Sequence, residues 1–448
     1  MRLNNMKPEI VIAVDIGTTT LKLIAFDQNG RIIDSEFYQY QIQLTTPLVM
    51  QNLNELVTNF QLLLEQLTQR LSQQYLILNI TFSCAMHSFL LLDHNHQPIS
   101  DIILWTDPHS FGELEIPVDL FHQKTGIFRG GFLPAFKLGY INFELQKWWT
   151  KIAKVVSIKE YLIYLLTEQF VIDYAMASGT GLFNLQTRNW DQEILTMLKV
   201  SEKWLSKLVS PQTVLRIINK RWNLPEQLDI VVGIADGISA NLATGYYDQD
   251  ILTISLGTST GCRYFWFTIP SKIPTNEYFM LFDEEIYMRG FTSSNEVNNF
   301  NWFLQQQDYS LNFALTEFAK QIAEQSLTND FYFPYLVKER IWKEYDHEKF
   351  YLTTAAIEPK QLIQIVVEGI LFNCKSIIDN LAQKKWTKIC LAGGFFSNFL
   401  IVELFSKMVN FPVVKLLTSE LSAQWAAFIG FLAAKRFKSY RDVEKWQN

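Results

Sequence analysis

Two copies of one short phrase constrain the fold more than any other feature of the sequence. "VIAVDIGTTTLK", around Gly17, returns as "ILTISLGTSTGC", around Gly257. In each copy an apolar, strand-like run leads into a Gly-Thr-Ser/Thr-Thr turn, and another apolar stretch follows. Because the copies lie much farther apart than the units of a solenoid repeat, they predict two duplicated domains that face each other across a cleft. We place the boundary near Gly245, which gives domains 1–245 and 246–448.

Size and charge limit the classes of protein to consider. The chain has 448 residues, of which 48% are hydrophobic and 19% charged, and this predicts a folded protein of roughly two or three domains. A net charge of −6 offers no basic surface to nucleic acid or to an anionic membrane. No apolar run is long enough to span a bilayer, and residues 1–9 lack an apolar secretory segment, so we expect a cytoplasmic protein. The sequence leaves a homodimer open.

The spacing of cysteines and histidines argues against a structural metal site. Four cysteines are scattered without CxxC spacing, which predicts buried free thiols rather than a zinc site or a disulfide framework; they are Cys84, Cys262, Cys374 and Cys390. His94 and His96 have the spacing of a metal-binding pair, but they lie between a strand-like run and Gln97-Pro98. We interpret this segment as a polar turn.

The hydrophobic pattern predicts an α/β fold. The strand-like runs "EIVIAVDIG", "LKLIAFD" and "RIIDSEFYQY" follow one another, with a hairpin turn at Gln28-Asn29-Gly30. Apolar residues then recur at helical spacing from Leu53 to Leu71, and "YLILNITFS" returns to a strand. This order predicts a mixed sheet covered by helices. After the second copy the pattern predicts helices near 362–372, 400–408 and 422–434, with the strand "KICLAGG" among them.

The two Thr-rich turns are suited to phosphate. Gly17 admits a close approach to the backbone, and the N–H groups and hydroxyls of Thr18 and Thr19 can donate to phosphate oxygens. Asp15 ends an apolar strand, where a carboxylate needs a cation, and hydrated Mg²⁺ bridging ATP phosphates is a natural one. Alternatively, Asp15 and Thr18 only close a hairpin. The second turn, Gly257-Thr258, is equally ambiguous alone, but two such turns from duplicated domains can clamp a triphosphate between them.

Two further segments carry candidate chemistry. "CLAGGFFSN" is a strand that ends at Gly393-Gly394 and opens a helix with Ser397 or Asn398 as N-cap, so the backbone can approach a nucleotide there. The same junction is also common as plain architecture. In "VVGIADGISANLATG", Asp236 follows an apolar run and is flanked by glycines. Such a carboxylate can accept the proton of a substrate hydroxyl that attacks phosphorus, or it can cap the following helix, or both.

Together these segments resemble the FGGY family of carbohydrate kinases over nearly the whole chain. The ordered motifs are "DIGTTTLK", "SCAMHSFLLLD", "LWTDPHS", "SIKEYLIYLLTEQFVIDYAMASGTGLFNLQTRNWD", "GIADGISANLATG", "ISLGTSTG", "YFPYLVKER" and "LAGGFFSN". The resemblance implies two duplicated actin-like (ribonuclease H-like) domains flanking a central cleft, with ATP and Mg²⁺ as cofactors and a small-molecule sugar or sugar acid as substrate. "SIKEYL", "DYAMASGTGLFNLQT" and "DGISANLATG" are most similar to gluconate kinases, which implies gluconate as the acceptor; xylulose or another polyol is the alternative.

The resemblance also implies roles for individual residues. Asp236 is the catalytic base, and Asp15 and Asp236 face the metal. The nucleotide-binding residues are Thr18, Thr19, Lys22, Gly257 and Thr258 at the phosphates and Gly393, Gly394 and Asn398 at adenosine. The substrate-binding residues are Met86, His87, Trp105 and Asp107. A sugar acid also needs a cation or several donors for its carboxylate, and His87, Arg129 and Lys137 lie near these motifs as candidates. Trp105 and His87 alternatively belong to the core, Lys137 to a solvated helix face and Arg129 to a Gly-rich loop.

Departures from the family pattern leave a second class of function open. Val337-Lys338 replaces a small residue and glycine, the proline expected after Arg340 is absent, and Gln424-Trp425 stands where small residues near the nucleotide are usual. These changes are compatible with a non-catalytic sugar or nucleotide sensor on the same scaffold. An actin-like or chaperone-like ATPase would share the fold but would not explain "AMH" and "LWTD". The presence of Asp15, Asp236 and both turns favours the kinase.

Overall fold

The structure is a computed structural model. It describes residues 7–40, 48–111, 115–242, 248–257, 260–293, 295–324, 328, 330–335, 359–381, 385–416 and 420–443. The predicted domain boundary near Gly245 lies outside these residues, as do Thr258 and the departures at Lys338 and Arg340.

The first half of the chain is built on a six-stranded mixed sheet. In chain order its elements are β1 (Glu9–Ile16), β2 (Thr20–Asp27), β3 (Ile32–Gln39), β4 (Met50–Gln51), α1 (Leu53–Ser72), β5 (Leu76–Cys84), β6 (Leu90–Leu92), β7 (Ile102–Ile103), α2 (Val118–Thr125), α3 (Pro134–Glu144), α4 (Gln146–Trp149), β8 (Lys154–Val156), α5 (Ile158–Thr167), β9 (Val171–Asp173), α6 (Tyr174–Ser178), β10 (Phe183–Asn184), β11 (Asn189–Trp190), α7 (Gln192–Leu198), β12 (Lys207–Val209), β13 (Val214–Arg216), β14 (Asp229–Ala235) and α8 (Asp236–Leu242). The sheet order is β13-β14-β5-β1-β2-β3, and the short strands form two-stranded ribbons around it.

The second half is built on another six-stranded sheet. Its elements are β15 (Ile251–Leu256), β16 (Thr260–Trp266), β17 (Tyr278–Asp283), β18 (Ile286–Ser293), α9 (Val297–Gln306), α10 (Leu311–Glu324), α11 (Leu362–Asn380), β19 (Lys388–Ala392), α12 (Phe399–Met408), β20 (Val413–Lys415) and α13 (Leu421–Ala433). The sheet order is β17-β18-β16-β15-β19-β20.

The centres of the two sheets share one topology. β1 pairs antiparallel with β2 across the Gly17 turn and parallel with β5 on its other side. β15 pairs in the same way, antiparallel with β16 across the Gly257 turn and parallel with β19. The duplication predicted from the repeated phrase and the α/β class predicted from the hydrophobic pattern are therefore confirmed.

Local sequence explains why the first sheet is covered on one side by α1. The side chain of Asn52 caps the helix by accepting a hydrogen bond from the backbone N–H of Glu55, at 2.9 Å. Leu56, Phe60 and Leu67 share one face of the helix and are completely buried. α1 packs with that face against β2, β3 and β5, as the helical spacing predicted.

The last helix, α13, returns from the second half and packs against β1, β5 and β14 of the first sheet. Gly430 allows this close approach, because a Cβ at that position would collide with the side chains of Asn79 and Thr81. Asn79 also donates a hydrogen bond to the Gly430 carbonyl at 2.9 Å. Trp425 of α13 is completely buried and packs edge-on against Phe428, so the structure places this departure from the family pattern in the apolar core.

Two further predictions, from the spacing of the cysteines and histidines, are confirmed. All four cysteines are buried and free. His96 lies in a polar turn in which the carboxylate of Asp93 accepts hydrogen bonds from the backbone N–H groups of Asn95 and Gln97, and the His96 ring bonds the hydroxyl of Tyr164. Across the described residues, no helix has both the length and the apolar character needed to cross a bilayer.

Candidate active site

Asp15 and Asp236 lie at the same edge of the first sheet. β1 and β14 both run parallel to β5, one on each side of it. Asp15 is the next-to-last residue of β1, and Asp236 directly follows β14 as the first residue of α8. Because parallel strands end at one edge, the fold brings together the two carboxylates that the sequence predicted from separate motifs.

The environment of Asp236 suits a general base. Its Oδ1 accepts a hydrogen bond from the backbone N–H of Gly237 at 2.6 Å, and the backbone N–H of Met86 also donates to the carboxylate. Burial is the largest influence on this group and raises its pKa to about 6, against the opposing effect of these donors. A carboxyl group with a raised pKa is a better proton acceptor near neutral pH than an ordinary one.

Asp15 is suited to a cation. Burial raises the pKa of its carboxyl group to about 7, and the negative charge of Asp236 adds to this shift. Within the described residues, no group of three or more His, Cys, Asp and Glu side chains is placed to hold a metal ion. A Mg²⁺ ion needs no such cage, since it commonly binds through one or two carboxylates and keeps several waters. The pair Asp15 and Asp236 therefore fits the ion that the resemblance implies.

The first Thr-rich turn joins the predicted phosphate and sugar residues. The turn is closed by a hydrogen bond from the Gly17 N–H to the Thr20 carbonyl at 3.0 Å, with Thr18 part-buried and Thr19 exposed. The indole N–H of Trp105 donates to Thr18 Oγ1 at 3.2 Å. Lys22, two residues into β2, forms an ion pair with Glu420 at 2.7 Å. The N–H edge of the Trp105 indole thus lies beside the turn predicted to bind phosphates.

The second turn lies against the strand–Gly-Gly–helix junction. Gly393 has a φ of +95°, and a Cβ there would collide with the carbonyl of Leu256, the residue before Gly257. Only glycine allows the two backbones to meet in this way. Asn398 caps α12 by accepting a hydrogen bond from the Leu400 N–H at 2.9 Å, which confirms one of the two predicted N-caps.

Met86 and His87 are held by the end of α6. His87 has a φ of +69°, and its Nδ1 bonds the Gly179 carbonyl at 2.7 Å. A Cβ on Gly179 would collide with the Met86 side chain and crowd the His87 ring. Phe132 packs edge-on with that ring. The segment "DYAMASGTG" therefore supports the predicted sugar-contacting turn directly, a connection that the sequence alone did not reveal.

Asp107 and Lys137 satisfy each other. Both side chains are almost completely buried, with Lys137 Nζ 3.5 Å from Asp107 Oδ1, and the ammonium also donates to the Asp107 carbonyl. The carboxylate accepts further hydrogen bonds from the backbone N–H groups of Val49 and His109. Arg129 donates to the Ile116 carbonyl. Lys137 is thus not on a solvated helix face, and its charge is met by the neighbouring residue of the predicted sugar site.

Two charged residues near Asp236 were missed in the sequence. Lys159, completely buried, forms an ion pair with Asp173 and donates to the carbonyl of Ile234 at 3.2 Å, two residues before Asp236. Arg263, on β16, donates to Ser255 Oγ at 2.7 Å and lowers the pKa of Asp236 through its charge. Each of these cations lies inside an otherwise apolar element, Lys159 at the start of "SIKEYLIYLL" and Arg263 within "TGCRYFW". That position in the sequence could have identified both residues.

Comparison with known proteins agrees with this geometry. The model of the family described as "FGGY family of carbohydrate kinases, N-terminal domain" matches residues 10–243, which is more than half of the chain. The gluconokinase of Bacillus subtilis strain 168 is 26% identical over 97% of this chain and 89% of its own. The xylulose kinase of Lactococcus lactis subsp. lactis is 25% identical over 97% of this chain and 90% of its own.

A solved structure shows the same fold. The ligand-bound xylulose kinase from Lactobacillus acidophilus has a TM-score of 0.86 at 24% identity, covering 98% of this chain and 92% of that one. The fold, the family match and the relatives along the full length of the chain agree with one another. The chain belongs to the FGGY family of carbohydrate kinases, which are phosphotransferases.

Proposed function

We propose that the protein transfers the γ-phosphoryl group of ATP to the terminal hydroxyl of gluconate and so forms 6-phosphogluconate. The observation that carries the proposal is the shared sheet edge of Asp15 and Asp236, which lies next to a Thr-rich turn. A hydroxyl-bearing substrate at Asp236 and a triphosphate at Gly17 would meet at that edge. The gluconokinase relatives support gluconate as the acceptor, while the xylulose kinase relatives keep that sugar as the second candidate.

In the proposed reaction Asp236 removes the proton from the attacking hydroxyl. The oxygen forms a bond to the γ-phosphorus as the bond to the β,γ-bridging oxygen breaks, and ADP leaves with that electron pair. Thr18, Thr19 and Lys22 bind phosphate oxygens from the first half of the chain, and Gly257 and Thr258 are assigned to phosphate binding from the second half. Gly393, Gly394 and Asn398 face adenosine. Mg²⁺ held by Asp15 and Asp236 would neutralise part of the phosphate charge.

Sugar binding is assigned to Met86, His87, Trp105 and Asp107. The exposed face of Trp105 suits the apolar C–H surface of a polyol, and the polar groups around it suit the hydroxyls. Since Lys137 is paired with Asp107, we assign the gluconate carboxylate to the neighbourhood of His87, whose ring is fixed by Gly179 and Phe132.

The test is ADP formation with a panel of acceptors at equal concentration. We expect kcat/KM for gluconate to exceed the values for xylulose and glycerol, and Asp236→Asn to abolish most turnover with every acceptor. If a neutral sugar is phosphorylated faster than gluconate, the substrate assignment is wrong although the kinase assignment survives. If no sugar stimulates ADP formation, a sensor on the same scaffold replaces the enzyme.

A further inference from the structure

We propose that Arg263 is a catalytic residue whose guanidinium group binds the phosphoryl group during its transfer. This inference rests on the proposed kinase function. It adds a cation from the second half of the chain, on the strand that follows the second Thr-rich turn. Neither the repeated phrase nor the motifs that carry the family resemblance singled out this residue.

The strand β16 is shaped to aim the guanidinium toward that turn. Cys262 and Tyr264 point into the core of the second half, so the alternate residues Gly261 and Arg263 share the opposite face. A Cβ on Gly261 would lie 2.5 Å from Arg263 Cζ. The guanidinium therefore folds back over Gly261 toward the start of β16, and glycine provides the space that it fills.

Two neutral hydroxyls hold the guanidinium in this position. Nη1 donates to Ser255 Oγ at 2.7 Å, and the hydroxyl of Tyr278 is a second hydrogen-bond partner. Arg263 pairs with Gly290 in the sheet, and Gly290 pairs with Tyr278. A Cβ on Gly290 would lie 2.6 Å from the Tyr278 hydroxyl, so this glycine clears the path along which Tyr278 reaches Arg263.

Among the described residues, Arg263 forms no ion pair with a carboxylate at hydrogen-bond distance, and its charge acts on Asp236 at longer range. Arg289, on the neighbouring strand, shows the contrast, since its guanidinium forms an ion pair with Glu277. A part-buried guanidinium that is oriented by two neutral groups keeps its attraction for an anion. The same sheet thus contains one arginine that is neutralised by the protein and one that is available to a ligand.

The position of Asp236 identifies the anion. α8 begins with Asp236 and packs against β15 and β16, which carry Ser255 and Arg263. A hydroxyl activated by Asp236 lies within about 3 Å of its carboxylate, and the phosphorus that it attacks lies about 3–3.5 Å farther on. Arg263 lies on the strand after the phosphate turn and acts on Asp236 through its charge, so its guanidinium is placed to meet the transferred group. The gluconate carboxylate is at the far end of the six-carbon chain from that oxygen.

The step itself needs no further reactant. The hydroxyl oxygen bonds to phosphorus, its proton goes to Asp236, and the bond to ADP breaks. Arg263 contributes N–H groups to the equatorial oxygens and undergoes no covalent change. Charge spreads over these oxygens in the transition state, which is where a preorganised cation contributes most.

The proposal is tested with Arg263→Gln and Arg263→Lys in the full chain. Arg216→Gln is the matched control, because Arg216 is largely exposed and pairs with Asp229 on the outer strands. We expect Arg263→Gln to lower kcat by about 10²–10³-fold with KM for ATP and for sugar changed by less than about threefold. Arg263→Lys keeps the charge without the planar fork, and we expect it to recover part of the loss.

A binding measurement separates transition-state contacts from ground-state contacts. ADP with Mg²⁺ and fluoroaluminate imitates the phosphoryl group in flight, and its affinity can be compared with that of ADP and Mg²⁺ by calorimetry. We expect Arg263→Gln to bind ADP with normal affinity. The factor by which fluoroaluminate increases that affinity should be at least about tenfold smaller than in the wild type. Tyr278→Phe, which removes only the positioning hydroxyl, should show a smaller loss of the same kind.

Two results would overturn the proposal. One is an Arg263→Gln enzyme with kcat and fluoroaluminate affinity close to those of the wild type. The other is a loss confined to sugar acids while neutral sugars react normally, since Arg263 would then bind the substrate carboxylate. If the wild type prefers a neutral sugar, the same variants are compared on that sugar. If the wild type phosphorylates no sugar, the fluoroaluminate comparison alone tests the role of Arg263. The proposed kinase function and the proposed role of Arg263 can therefore fail independently of each other.

Discussion

The ammonium group of Lys22 lies 2.7 Å from a carboxylate oxygen of Glu420, although the two residues come from opposite ends of the chain. Lys22 is on β2, next to the first Thr-rich turn, and Glu420 directly precedes α13. The lysine assigned to ATP phosphates therefore already has an anionic partner from the protein. Phosphate oxygens must compete with Glu420 or share Lys22 with it.

We predict that Glu420→Gln binds ATP more tightly. Both side chains are partly exposed, and such ion pairs contribute about 0–1 kcal/mol, so the expected fall in Kd for ATP is at most about fivefold. Lys22→Met should raise the same Kd. Glu403→Gln, which removes a surface pair with Lys407 on α12, is the control and should leave Kd unchanged. An unaltered Kd in Glu420→Gln would show that the pair does not compete with phosphate.

Asp236→Asn should retain the fold and ATP binding but lose turnover. The amide is nearly the same shape as the carboxylate but cannot accept the hydroxyl proton, and removal of a general base costs about 10²–10⁴-fold in rate. Steady-state kinetics and ATP titration measure the two properties separately. Asp229→Asn, at the other end of β14, provides the control. Turnover near that of the wild type would place the base on another residue.

The sequence predicted the local structure of this protein better than its long-range contacts. Apolar periodicity and turn residues correctly indicated the β2–β3 hairpin, α1 and the N-cap at Asn398, because each depends on residues close in sequence. The shared edge of Asp15 and Asp236 followed only after the parallel pairing of β1 and β14 with β5 was known.

Contacts between side chains that are distant in sequence could not be predicted from the sequence pattern. The pattern around Lys137 gave no indication that Asp107 would meet its charge, and Trp425 occupies the core because α13 returns to the first sheet. The position of Arg263 depends on Gly261, which leaves room for its guanidinium, and on Gly290 of the neighbouring strand, which leaves room for the hydroxyl of Tyr278. Periodicity shows which face of an element is buried, but it does not identify which polar groups meet there.

Lys159→Met should destabilise the protein strongly. The substitution leaves the carboxylate of Asp173 completely buried without its cation, and breaking a buried ion pair in this way costs about 3–5 kcal/mol. It also removes the hydrogen bond to Ile234, next to Asp236, so kcat should fall in whatever protein remains folded. The free energy of unfolding is measured by urea denaturation.

Two further variants check the physical reason. In the double variant Lys159→Met with Asp173→Asn no charge is stranded, and we expect it to be more stable than Lys159→Met alone. Lys207→Met, on the exposed side of β12, which pairs with the strand of Asp173, should have little effect. Equal stability of the single and double variants would mean that the stranded charge is not the cause.

Glu160 makes stability depend on pH. Its carboxylate accepts the Ser157 N–H at 2.6 Å within the cap of α5, and burial raises its pKa from an ordinary 4.5 to about 7. Between these values the folded protein holds a proton that the unfolded chain releases. This group's contribution to stability is therefore fully present below about pH 4.5 and is lost as pH rises through 7.

Glu160→Gln should remove this dependence, because the amide remains uncharged at every pH. Urea denaturation at pH 5 and pH 8 gives the free energy of unfolding of both proteins. From the lower to the higher pH we expect the variant to gain stability relative to the wild type, by on the order of 2–3 kcal/mol. Other buried carboxyl groups with raised pKa values, including those of Asp15 and Asp236, affect both proteins equally and cancel in the difference. Parallel stability profiles for the two proteins would show that Glu160 is ionised in the folded state throughout this range.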